Sequence, residues 1–302
     1  MIRLVFELLL LFGSAAQVVP LPGTPIAIQP VDLGVAVSCV NPSSICAVYS
    51  GSVLEVLPFK VQSPRGLCLW NDELVAADFA GKSIVTGNRV IPLPGNPDGI
   101  SEVFWNSSSV PELAVALFEP GVIVLVQQDG TISTLLEMPG VKCLSSCDAD
   151  GDDDMDIFAS GCGSGVVFIE NTGAAPVIHR IGTIQAGVKR CCAVDMNGDG
   201  FIDVAGIACA EGGAGWWENP GYPGRGWSFH DIDVSLEGPK DIFCRGDSMV
   251  IASLFSGVVF SFDSAIQLVE GFTCCFISDN GDVILGHRLG FLVTVSGNGG
   301  IL

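Results

Sequence analysis

The sequence predicts an all-β chain folded as a seven-bladed β-propeller of four-stranded antiparallel blades. Three observations predict it. Two acidic loops, DADGDDDMD (148–156) and DMNGDGFID (195–203), recur 47 residues apart, the length of one propeller blade. Short apolar runs bounded by Gly, Pro, Asn, Asp or Ser fill the chain on both sides of these loops. No stretch reads as a convincing helix.

Composition agrees with one large all-β domain. Of 302 residues, 49% are apolar, enough for a large core, and the 38 glycines suit many strands joined by tight turns. The formal charge of −20 excludes nucleic acid as a partner, because a phosphate backbone would be repelled. It fits a chain that binds cations. Residues 1–16 read as a secretory signal peptide: Arg3, then the apolar run LVFELLLLFG, then the small residues Ser14, Ala15 and Ala16. Glu7 interrupts that run, so an uncleaved leader stays open. Residues 17–302 then form a single domain, expected to be a secreted monomer. No later segment has the roughly 18 uninterrupted apolar residues of a membrane-spanning helix. Asn106-Ser107-Ser108 is an N-glycosylation acceptor in a turn.

Taken in order, the units are 35–63, 66–94, 99–138, 141–184, 188–234, 239–270 and 272–297. The second carries a tight turn at Asn71-Asp72, and the third reads as four full strands. The fourth and fifth contain the acidic loops, and the text after each aligns: DIFASGCGSGVVFIENTG (156–173) with DVAGIACAEGGAGWWENPG (203–221). The last unit has only three strands. TPIAIQPVDL (24–33) is left over before the first, and pairing it as the outer strand of the last blade would close the ring and cover an edge.

Each acidic loop places side-chain oxygens at every second residue: Asp148, Asp150, Asp152 and Asp156, then Asp195, Asn197, Asp199 and Asp203. A hard cation such as Ca²⁺ takes about six to eight oxygens, and such a loop supplies them. The seventh position, Asp154 or Phe201, would offer its backbone carbonyl. Gly151, Gly198 and Gly200 let the chain bend. An EF-hand is excluded, since the twelfth position is Ala159 or Gly206 rather than Glu, and strand follows instead of helix.

The pattern D-x-[DN]-G-D-x-x-x-D, with the Gly-rich turn and strand after it, resembles the FG-GAP (VCBS) repeats of integrin α-subunit heads and secreted microbial proteins. The resemblance covers residues 141–234, and WWENPGYPGRGWSFHDIDV (216–234) is similar to the later strands of such repeats. It implies a propeller with Ca²⁺ between the first and second strands of two blades. It implies no single activity, because the same blade serves adhesion, scaffolding and some carbohydrate-active enzymes.

Other motifs are weaker. Ser278, Asn280 and Asp282 mimic a third loop but lack its ninth-position carboxylate, so a hairpin turn is expected there. Arg245-Gly246-Asp247 spells RGD in what reads as a shortened turn. His179 and His230 fall on outer strands, away from a central channel, and His287 lies on the second strand of the last unit. No G-x-S-x-G, H-E-x-x-H or P-loop pattern occurs. Cysteines 39, 68, 143, 147, 191, 192, 244, 274 and 275 cluster at first strands, as small channel-lining residues. Disulfides between neighbouring inner strands, or Cys39 with Cys46, and free thiols are both open, while zinc is disfavoured because no C-x₂-C pair occurs. One of Trp216 and Trp217 packs between blades; Trp217, Tyr222 and Trp227 are candidates for a platform under a sugar ring. The functional expectation is a non-catalytic binding or scaffold module for an extracellular protein or glycan, with a carbohydrate-active lyase or dehydratase as the alternative.

Overall fold

The computed structural model describes residues 16–295 apart from 33, 50–53, 185–186, 209–212, 222–225, 233–235, 247, 262–263 and 269–270. The described strands form seven four-stranded antiparallel sheets. Six are continuous in sequence, and we call them blades I to VI. Blade I comprises Thr24–Val31, Gly34–Val40, Ser44–Tyr49 and Leu54–Val56. Blades II, III, IV, V and VI begin with inner strands Pro64–Trp70, Asn96–Val103, Val141–Cys147, Val188–Val194 and Pro239–Arg245. The seventh sheet is composite: Phe272–Ile277, Val283–His287 and Phe291–Val295 from the end of the chain, with Ala16–Pro20 from its start.

This composite sheet corrects the expected blade plan. The strand that completes the last blade is not 24–33 but Ala16–Pro20, antiparallel to Phe291–Val295 with Val18 opposite Val293. Thr24–Val31 is instead the inner strand of blade I, so the first unit begins at residue 24 rather than 35. The reason is local. Val31 pairs with Gly34 across a tight turn, which commits Thr24–Val31 to lie beside Gly34–Val40. That strand cannot also stand at the outer rim of another blade. The expected seven units closed by 24–33 are therefore replaced by six sequence-continuous blades and one composite sheet whose outer strand is Ala16–Pro20.

The inner strands touch their neighbours in one closed cycle: blade I to II, on through VI, then to the composite sheet and back to I. Buried apolar residues sit between adjacent sheets. Leu113, Val115 and Val124 of blade III meet Val75, Ala77 and Ile84 of blade II. Val19, Phe276 and Leu292 of the composite sheet meet Val35 and Val37 of blade I, sealing the ring at its seam. Alternation within each middle strand sends successive side chains to opposite neighbours, so both faces of a blade are buried.

Each inner strand carries one irregularity at the same place, near its start. One extra residue is inserted opposite the second strand between Pro25 and Ala27, Pro64 and Leu67, Pro97 and Ile100, Val141 and Cys143, Val188 and Arg190, Pro239 and Asp241, and Phe272 and Cys274. Such a bulge bends the strand and re-aims a side chain. At this level the inner strands crowd together: a Cβ on Gly99 would lie 2.6 Å from the Lys142 carbonyl oxygen.

Candidate functional site

The two acidic loops each join an inner strand to the second strand of its blade, at the end of the channel opposite the bulges. Their first aspartates are held alike. In the first, Asp148 Oδ1 accepts from the Gly151 and Asp152 amides at 2.8 and 3.2 Å, and Oδ2 from the Asp153 amide at 3.2 Å. In the second, Asp195 Oδ1 accepts from Gly198 and Asp199 at 2.8 and 3.2 Å, and Oδ2 from Gly200 at 2.9 Å. The first aspartate thus folds the loop around itself. Gly151, Gly198 and Gly200 all have positive φ, which is why glycine suits those positions.

The ninth-position aspartates open the second strands and are fully buried. Asp156 accepts from the Ala149 amide (3.0 Å) and the Asn171 amide (2.8 Å); Asp203 accepts from Met196 (2.9 Å) and Asn219 (2.7 Å). Burial pushes the Asp156 carboxyl up to about 7 and that of Asp203 up to about 6, against the pull of those same amides. Asn171 and Asn219 complete each loop from the third strand. Asn171 Nδ2 donates to the Met155 carbonyl at 3.1 Å, and Asn219 Nδ2 donates to the Ile202 and Ala149 carbonyls at 3.0 Å. These two asparagines were missed at the sequence level. Their signal was present in the aligned ENTG and ENPG segments, where Asn follows the last loop aspartate by 15 and 16 residues.

The loops differ in how their oxygens converge. Carboxylate oxygens of Asp148, Asp150 and Asp156 lie within 4.8 Å of one another, the one such group among the described residues. Asp150 Oδ1 is buried with no hydrogen-bond partner. Burial, then the nearby Asp152 and Glu170, push the Asp150 carboxyl upward. An orphaned carboxylate oxygen facing two others is a donor set with all-oxygen chemistry, and a hard divalent cation fits it. Asp152 turns one oxygen back to the Asp154 amide (2.9 Å). In the second loop Asn197 Nδ2 donates to Asp199 Oδ2 at 3.0 Å, which occupies that carboxylate within the loop, and Phe201 is exposed.

The remaining candidates fall into place around this frame. Ser278 to Asp282 closes as a hairpin: the Ser278 amide donates to the Asp282 carbonyl at 2.9 Å and the Gly281 amide to the Ser278 carbonyl at 3.0 Å. Arg245 ends an inner strand and pairs with Asp279; Asp247 lies outside the described residues. Asn106 is exposed in a turn with positive φ. His179 stacks on Phe168 and bonds Glu170 at 2.5 Å, and His230 stacks on Trp216 and bonds Glu218 at 2.8 Å, both as outer-strand cross-strand pairs. His287 is buried between Phe272 and Phe291.

One expectation is corrected here, and one open alternative is decided. Trp217 is 2% exposed and has no face for a ligand; it packs on the neighbouring blade, where a Cβ on Gly182 would lie 2.3 Å from its Nε1. Trp227 is half-buried against Phe158 and Phe168, with centroids 5.9 and 6.4 Å away, and Tyr222 lies outside the described residues. The aromatic cluster is interblade packing, since Gly182 leaves a hole of indole size. Of the two readings left open for Cys39 and Cys46, the free thiol holds, on the second and third strands of blade I. Free thiols also occupy the inner strands at Cys68, Cys143, Cys147, Cys191, Cys192, Cys244, Cys274 and Cys275, whereas Cys162 is disulfide-bonded.

No family model matches the chain, and no curated protein is significantly similar to it in sequence. Solved structures do match. A streptogramin B lyase structure superposes with a TM-score of 0.73 at 15% identity, covering 93% of this chain and 97% of that one. The WD40 β-propeller domain of Doa1 gives 0.68 at 11% identity over 92% and 94%. YCF48 bound to D1 peptide gives 0.65 at 14% identity over 94% and 97%. At these identities the likeness establishes a β-propeller and nothing about activity.

Proposed function

We propose that the chain is a calcium-braced propeller of the FG-GAP type, acting as a secreted, non-catalytic binding or scaffold module for an extracellular protein or glycan. The observation that carries the calcium reading is the convergence of Asp148, Asp150 and Asp156, with Asp150 Oδ1 buried and unpartnered. A bound divalent cation would offset the mutual repulsion of these carboxylates and tie the first strand of blade IV to its second. The second loop shares the hydrogen-bond frame, and rotation of Asn197 and Asp199 would present Asp195, Asn197, Asp199, Asp203 and the Phe201 carbonyl to a second ion. Support for a binding rather than a catalytic role is the engagement of all three histidines in stacking or core contacts.

The test is thermal unfolding with chelator and with excess calcium, for the wild type and for Asp150→Ala. Calcium should raise the melting temperature by mass action, worth about 2.7 kcal/mol at a hundredfold excess over Kd. Asp150→Ala should unfold like the wild type in chelator and lose most of the calcium response. A wild-type melting curve unmoved by calcium would sink the metal reading. The module reading is tested on a glycan array with products analysed: turnover of a bound glycan would replace it with an enzyme.

A further inference from the structure

The end of the channel opposite the acidic loops gathers a cluster of cations. The chain has only 13 Lys and Arg against 33 Asp and Glu. Yet Arg65, Lys142, Lys189, Arg190 and Lys240 all sit at or beside the inserted residue of an inner strand, on blades II, IV, V and VI. Lys142, Lys189 and Lys240 are the inserted residues of three consecutive blades. The bulge therefore sets the direction of each lysine at one level of the channel.

Two inner-strand carboxylates share this level and Arg190 engages them, while a third, Asp78 on the second strand of blade II opposite Pro64, accepts from the Gln62 and Ser63 amides. Arg190 Nη2 donates to Asp98 Oδ1 at 3.0 Å, its Nε lies 4.0 Å from Asp241 Oδ1, and its Nη1 donates to the Lys142 carbonyl at 2.9 Å. Asp241 also accepts from the Cys275 amide at 3.2 Å. Arg190 thus links blades III, IV, V and VI. Among the described residues the other four cations have no carboxylate within ion-pair distance, although Asp98 lies near Lys142 and Asp241 near Lys189. Lys189 Nζ reaches only the Pro239 carbonyl, at 3.3 Å. Lys142 Nζ rests over the Phe118 ring at 4.5 Å and Arg65 over Phe79 at 4.9 Å, and Arg65 Nε is buried with no hydrogen-bond partner. Burial, then Lys240, Arg190 and Lys142, push the Lys189 ammonium down to about 7. All five cations are half-buried, so the cluster is held in place yet reachable.

We propose that this channel mouth is a binding site for a compact small molecule bearing two or three negative charges on phosphate or carboxylate groups, held by Arg65, Lys142, Lys189 and Lys240. Grouping like charges on half-buried strands costs stability unless an anion compensates it. The cations converge on the channel from four blades rather than lying in a stripe, which suits a compact anion and not a polymer. This site does not depend on the metal loops, which lie at the far ends of the same strands.

The experiment is calorimetric titration with pyrophosphate and, separately, citrate, using the full chain in chelator. The wild type should bind at least one of them. The triple variant Lys142→Met, Lys189→Met, Lys240→Met should bind at least about tenfold more weakly, since it removes three charge-assisted contacts. Lys60→Met, at an exposed lysine outside the cluster, should bind as the wild type does. Binding of pyrophosphate alone assigns the phosphate source, and of citrate alone the carboxylate source. Should the triple variant fail to fold, Lys189→Met is read by the anion-induced rise in melting temperature, which it should diminish. Its unliganded melting temperature should match or exceed that of the wild type, because repulsion is relieved. No wild-type binding of either anion, or equal binding by the variants, overturns the proposal.

Discussion

At the residue scale, Asp156 and Asp203 do two jobs that can be separated. Each lends both carboxylate oxygens to backbone amides of two different loops, whether or not an ion is present. Asp156→Ala should therefore destabilise the fold in chelator by about 2–4 kcal/mol, the cost of leaving two buried donors unpaired. Denaturant unfolding measures this, and a loss confined to calcium-containing buffer would assign the residue to the metal alone. The pH dependence has a definite sign. Burial raises Asp156 to about 7 and Asp203 to about 6, so the folded chain holds protons that the unfolded chain has released above its ordinary carboxylate range. Their contribution is fully present below about pH 4 and is lost as pH rises through 6 to 7. In chelator, denaturant midpoints across this window should carry a falling contribution that Asp156→Ala removes. Equal pH slopes for the two proteins would contradict it.

At the element scale, the blade frame was legible where the sequence repeats itself and illegible where it does not. The acidic loops and the segments after them located blades IV and V because oxygen spacing and strand pattern reinforce each other. The seam carries no such marker. Thr24–Val31 and Ala16–Pro20 are both short apolar strands with proline, and only the pairing of Val31 with Gly34 decides which is the inner one. The sevenfold bulge escaped notice because its residues differ in kind: Ile26, Arg65, Asp98, Lys142, Lys189, Lys240 and Thr273 share a backbone position, not a chemistry. Trp217 was misread because its partner is Gly182 of the preceding blade, and a hole left by a glycine has no signature in the chain. The correction at the seam carries a prediction. A chain starting at Leu21 loses Ala16–Pro20, uncovering the edge of Phe291–Val295 and the side of the core that Val19 seals. Its unfolding should become broad or shift several degrees lower, since a shift of about 2–4 °C accompanies each kcal/mol in a domain of roughly this size. A truncated chain that melts as sharply and as high as the full one would refute the closure.

At the scale of the whole molecule, charge is arranged against the average. The chain is strongly acidic, two loops at one end of the channel hold clustered aspartates, and half-buried cations gather at the other end. Two consequences of added salt should therefore oppose each other. Screening shortens the Debye length from about 30 Å at 0.01 M to about 8 Å at 0.15 M, and so relieves the self-repulsion of a chain with net charge −20. The same screening weakens attraction between the channel-mouth cations and an anion. Sodium chloride should thus raise the melting temperature of the unliganded chain while lowering its affinity for the anion. Calcium should raise the melting temperature beyond what equal ionic strength achieves, because it acts at a fixed oxygen cluster and not through screening. Melting curves across sodium chloride concentrations in chelator, set beside calorimetric titrations at the same concentrations, measure both slopes. A melting temperature that falls as sodium chloride is added would show that local attractions outweigh the net repulsion, and would remove the acidic surface as a term in the stability of the ring.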